Sequence, residues 1–205
     1  MARFIAGIVS LVLLAGDPFH ASAAPPHSIS VELCDLADLP RDISQVAQRE
    51  LVRTFQRIGI DVTVARCGER HQGGSFRAAI FILPPNSRGP AGVPAFALGA
   101  LSLSLEWDPI VWIFYPRIER ASRRASVDRA IVLGHVIVHE IAHALLPVVG
   151  HGPSGIMRAT WRSADLVDAV QGQLRFSRDE AAAIRERLRG SLAAEDSIAA
   201  AKAVD

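Results

Sequence analysis

The residues best suited to chemistry lie in one run, His139-Glu140-Ile141-Ala142-His143. Two histidines four positions apart on a helix project from one face, so both imidazoles can reach the same zinc ion. The intervening Glu140 lies near enough to take a proton from a water held there. A catalytic zinc site uses three protein ligands and keeps one position open, and three neutral imidazoles are a known set. His151, 12 residues after His139, is the candidate third ligand. A carboxylate from Asp165 or Asp168 is its rival. The sequence around the motif is apolar, and burying two imidazoles and a carboxyl there is costly unless something pairs with them.

His135 lies one turn before His139 on the same face. One turn is about 5.4 Å, which puts a zinc ion centred between His139 and His143 out of its easy reach. His135 therefore reads as a satisfied core histidine or a partner of a ligand.

The elements that must position these residues follow from periodicity. Ser28 to Cys34 alternates as a short strand, and Asp42 to Ile58 repeats its apolar residues at steps of three and four, the pattern of a helix stopped by Gly59. Ile60 to Ala65 is a second strand. Ala78 to Leu83 is apolar throughout and is expected near the middle of the sheet. Pro84 to Pro94 is a Pro- and Gly-rich surface loop, after which Leu98 to Leu105 and Ile110 to Tyr115 read as two further strands. Ser126 is the expected N-cap of the helix that carries the motif, with Asp128 in its first turn and Pro147 ending it. A helical segment is expected at Ala164 to Val170. A last helix runs from Ser177 to about Arg189, and residues 191–205 form an Ala-rich tail. Arg117, Arg120, Arg123 and Arg124, with Glu119 among them, read as a solvated charged face.

The 205 residues are 50% hydrophobic and 21% charged, with 22 Lys and Arg against 21 Asp and Glu for a net charge of +1. That balance excludes a disordered chain and gives no basic excess for nucleic acid. Residues 1–23 have the form of an export signal. Arg3 precedes the apolar run Phe4 to Ala15, and Ala21-Ser22-Ala23 has the small-x-small form of a cleavage site. A secreted or periplasmic protein with no membrane span in its mature form is expected, with one domain over residues 24–190. Cys34 and Cys67 are the only cysteines, so an exported chain would hold them as one disulfide.

The run HEIAHALLPVVGHGPSGIM resembles the metzincin clan of zinc metallopeptidases, whose pattern is HExxHxxGxxH followed by a tight turn carrying methionine. Carried over, the resemblance makes His139, His143 and His151 ligands of one catalytic Zn2+, Glu140 the general base and Met157 the methionine of that turn. It implies an α+β, zincin-like fold. In that fold a mixed five-stranded sheet packs on an N-terminal helix and on the metal-binding helix, with a C-terminal helical part. It also implies a metalloendopeptidase that cleaves a peptide or protein substrate with zinc-activated water. The chain departs from the pattern at Leu146, where the family has Gly, and at Val149, where it has His; His151 comes two residues later. No tyrosine follows the methionine, since the only one is Tyr115. Arg66-Cys67-Gly68 is similar to the inhibitory cysteine segment of one metzincin family, but using Cys67 as a latch would leave Cys34 a free thiol. A non-catalytic zinc-binding or partner-binding domain of the same fold is the alternative reading.

Overall fold

A computed structural model describes residues 27–69, 74–104, 106, 108–146 and 150–202. The expected export signal and the helix stop at Pro147 lie outside the described residues. The elements are β1 (Ser28–Asp35), α1 (Arg41–Gln56), β2 (Asp61–Arg66), β3 (Phe76–Leu83), β4 (Gly99–Ser102), β5 (Ile110–Phe114), α2 (Tyr115–Ala125), α3 (Arg129–Leu145), α4 (Ser163–Val170) and α5 (Arg178–Lys202). The architecture is α+β. The sheet is mixed, in the order β2-β1-β3-β5-β4, with β4 alone antiparallel at one edge.

Alternation decides which face of the sheet is covered. Val31 pairs with Ala78, Leu33 with Ile80, Ile80 with Val111 and Ile82 with Ile113, so side chains of one parity line up across three parallel strands. These residues are buried, and they form one core with Ile43, Leu51 and Phe55 of α1 and with Leu133, Ile137 and Ile141 of α3. β3 is central, as its apolar run implies. Its other parity is apolar for a different reason: Phe81 stacks on Trp112 at 5.3 Å between ring centroids on the less buried face. Cys34 near the end of β1 and Cys67 just past β2 form a disulfide between neighbouring parallel strands. Closing a loop over a separation of 33 residues limits the unfolded chain by about 3 to 4 kcal/mol on a chain-entropy basis.

The approach to the metal-motif helix differs from the sequence expectation. Ser126 is not its N-cap. Ser126 has φ 53° and closes α2, whereas Asp128 caps α3 by accepting a hydrogen bond from the Ala130 N–H at 2.8 Å. The arginine cluster lies on α2, whose buried positions Tyr115, Ile118 and Ser122 recur at helical steps beneath the charged surface. Arg120, Arg123 and Arg124 are exposed as expected, but Arg117 is not merely solvated. Its guanidinium lies 3.9 Å from the Phe114 ring centroid and donates to the carbonyls of Pro94 and Ala97 at 2.9 and 2.7 Å. One side chain thus fastens the end of the Pro-rich loop to α2.

α5 extends beyond the expected end near Arg189, its backbone staying helical through Lys202 and so including most of the Ala-rich tail. Its start is a reciprocal cap. The Glu180 N–H donates to Ser177 Oγ at 3.2 Å, and the Glu180 carboxylate accepts from the Ser177 N–H at 2.7 Å. Among the described residues, no helix is long and apolar enough to cross a membrane.

α3 is buried on nearly every side, the mark of a helix that runs through a core. It can approach α1 closely because position 134 is glycine. A Cβ there would stand 2.6 Å from Glu50 Cβ and 2.7 Å from the Ala47 carbonyl oxygen. Gly134→Ala should therefore push two core helices apart. A destabilisation of about 1 to 3 kcal/mol is expected by denaturant titration, despite alanine's better helix propensity.

Candidate metal centre

His139 and His143 sit one turn apart on α3, and the chain beyond the helix returns His151 to the same point. The three imidazoles each offer a nitrogen, and these atoms all lie within 4.8 Å of one another. The structure thus brings His151, the sequence's candidate, to the two helix histidines. Asp165 is committed elsewhere. Its carboxylate accepts from Arg158 at 3.0 and 3.3 Å and from the Arg162 N–H at 2.7 Å. Neither Asp165 nor Asp168 joins the histidine group.

His139 is oriented by the turn that holds Met157. Its Nδ1 lies 2.6 Å from the Ile156 carbonyl oxygen. A carbonyl can only accept, so Nδ1 carries the proton and Nε2 presents a lone pair. That Nε2 stands 3.0 Å from Nε2 of His143. Two ring nitrogens so close need a proton or a cation between them, and nitrogens bound to one tetrahedral zinc at about 2.0 to 2.1 Å fall about 3.3 Å apart. The ring of His143 is not fixed from behind, since its buried Nδ1 has no partner among the described residues.

The turn itself is tight. Arg158 N–H donates to the Gly155 carbonyl at 3.2 Å, which places Ile156 and Met157 at the two central positions. Gly155 has φ 72°, and a Cβ there would stand 2.4 Å from the Arg175 carbonyl oxygen, so only glycine fits. Met157 is buried in the core. The sequence pointed to its side chain, but the hydrogen bond to the metal-site histidine comes from the carbonyl of its neighbour. Trp161, which the sequence reading did not single out, donates to that carbonyl from Nε1 at 3.1 Å and meets the His139 ring edge-on at 5.7 Å.

Burial sets the protonation states. Desolvation is the largest influence on both helix histidines and pushes each to about 4, with the neighbouring imidazoles acting in the same direction. They are neutral at neutral pH, which is the ligating form. Burial alone pushes the Glu140 carboxyl up to about 7. Glu140 rests against Gly99 of β4, where a Cβ would stand 2.7 Å from both its Cγ and its Oε1. This second glycine contact was not legible in the sequence, because nothing local to Gly99 marks it. His135 is wholly buried. Its Nδ1 lies 3.0 Å from the Ile131 carbonyl, and burial holds its pKa below the ordinary value, as fits a core histidine outside the metal group.

The histidines and Glu140 open into a cleft of about 730 Å³. Its walls are mostly apolar, with Leu98 just before β4, Leu101 within it, Val136 on α3, and Trp161 and Leu166 from the chain beyond His151. Pro94, Phe96 and Ala97, at the loop end held by Arg117, border it as well. β4, shorter than the expected Leu98 to Leu105, is the sheet's edge strand here. No model of a known protein family matches the chain, and neither does any curated protein.

Two measurements follow from this geometry. The protein should retain about one zinc per chain after dialysis, and His151→Ala should lose most of it by elemental mass spectrometry. The second concerns pH in the metal-free protein. The folded-state pKa of Glu140, about 7, lies above its ordinary 4.5, so the folded state holds the extra proton and stability falls as pH rises through that interval. The helix histidines act oppositely, losing stability as pH falls from 6.5 toward about 4. Glu140→Gln removes only the first effect. The stability of the variant relative to the parent should therefore grow from pH 4.5 to 7, by at most about 3 kcal/mol, in denaturant titrations at several pH values.

Proposed function

We propose that the protein is an exported, zinc-dependent metalloendopeptidase with a metzincin-like catalytic domain. The observation that carries this reading is Glu140, a buried carboxyl with no ion pair among the described residues, beside three converging imidazoles that line an open cleft. A purely structural zinc site closes its fourth position with a protein ligand. Among the described residues, no fourth histidine, cysteine or acid joins the three.

His139, His143 and His151 would hold the ion as neutral imidazoles. When bound, zinc supplies Lewis-acid polarisation of a carbonyl and makes water nucleophilic near neutral pH. Glu140, with its pKa raised toward neutrality, accepts the proton of the attacking water and passes it to the leaving amine. Gly99 leaves the space in which that carboxyl sits. The Ile156 carbonyl keeps His139 in the ligating tautomer while Trp161 holds the same carbonyl from its other side.

Substrate lies extended along β4, adding a strand to the free edge. Leu98, Leu101, Val136 and Leu166 favour apolar side chains next to the scissile bond. The disulfide and the leader-like N-terminus support a location outside the cytoplasm.

Glu140→Gln should abolish peptide hydrolysis while leaving the zinc content unchanged. Gly99→Ala, which crowds the same carboxyl, should lower kcat by about tenfold or more at unchanged zinc content. Peptide turnover by Glu140→Gln equal to that of the parent would refute the general-base role.

A further inference from the structure

A second groove, of about 540 Å³, lies between the end of α1, the segment before α5 and the first turns of α5. It shares no lining residue with the histidine cleft. Four arginines line it: Arg57, Arg175, Arg178 and Arg185. The three that make hydrogen bonds make them to backbone carbonyls. Arg57 and Arg175 donate to Gly172 at 3.3 and 3.2 Å, and Arg185 donates to Ile58 at 3.2 Å.

Among the described residues, none of the four stands within ion-pair distance of a carboxylate. Glu50 pairs with Arg53 at 2.6 Å, and Glu180 accepts from the Ser177 N–H that starts α5. Arg57 feels the crowding, since burial and then Arg53 and Arg175 lower its pKa, against a smaller opposing effect of Glu50. Thr54 lines the same groove, is 2% exposed, and its Oγ1 has no hydrogen-bond partner among the described residues.

Guanidinium forks match the oxygens of phosphate two at a time. Ile58, Leu174, Phe176 and Ala181 give the lining an apolar part beside the cations. A bare phosphate, a few times the volume of a water at about 30 Å³, fills only a small part of the groove. We propose that this groove binds a phosphate monoester with a compact apolar body, its dianionic head among the arginines and its body on the Ile58 and Phe176 side. The site does not depend on the peptidase reading.

The test uses phenyl phosphate and inorganic phosphate as probes, titrated calorimetrically into protein stripped of metal and dialysed free of chelator. Phenyl phosphate should saturate one site with a Kd below about 1 mM. It should bind about fivefold or more tightly than inorganic phosphate, since only it covers the apolar side. Arg57→Gln and Arg178→Gln should each weaken it by about tenfold. Arg178 is exposed and makes no hydrogen bond or ion pair among the described residues, so its variant should keep the parent Tm. Absence of saturable binding would overturn the proposal. So would equal affinity for the two probes, or undiminished binding by Arg178→Gln.

Discussion

A helix that carries two imidazoles and a carboxyl through a hydrophobic core is held there by what its polar groups meet. In α3 the decisive contact is the short hydrogen bond from His139 to the Ile156 carbonyl. It fixes a tautomer, and it joins the centre of the helix to the turn after His151. The same turn is fixed from behind, because the Ile156 N–H donates to the Arg175 carbonyl at 3.1 Å. The histidine geometry therefore depends on α3, on the turn and on the segment leading to α5 together.

Tight packing makes that arrangement stiff. Gly134 lets α3 lie against α1, and Gly99 lets the Glu140 carboxyl lie against β4. Both contacts bring a side chain or backbone closer than any other residue would permit. The edge position of β4 gives the cleft one free row of backbone groups, while Arg117 holds the loop that feeds into that strand. Sheet, loop and metal helix thus meet at one side of the molecule. The burial that forms the core is the same burial that raises Glu140 toward neutrality and keeps the histidines uncharged.

Much of this was legible in the sequence where a local pattern carried the information. Alternation in β1 and three-and-four spacing in α1 reported the elements within a few residues. Two cysteines allowed one pairing. The helical spacing of His139 and His143, with His151 soon after, was enough to select the three histidines that the fold brings together. What escaped was either masked or long-range. The arginines of α2 hide the buried stripe of Tyr115, Ile118 and Ser122, so the pattern marks Ser126 as the start of a helix when it ends one. Gly99, Trp161 and the Ile156 carbonyl act on residues 17 to 41 positions away or on another element, and no spacing rule reaches them.

The most direct test of the metal centre is anomalous diffraction at the zinc edge from crystals of the zinc-loaded protein. A single peak about 2.0 to 2.1 Å from one nitrogen of each of His139, His143 and His151, with its remaining position facing the cleft, is the expected result. A zinc ion bound by Asp165 or another acid in place of His151, or no peak among the three histidines, would contradict it.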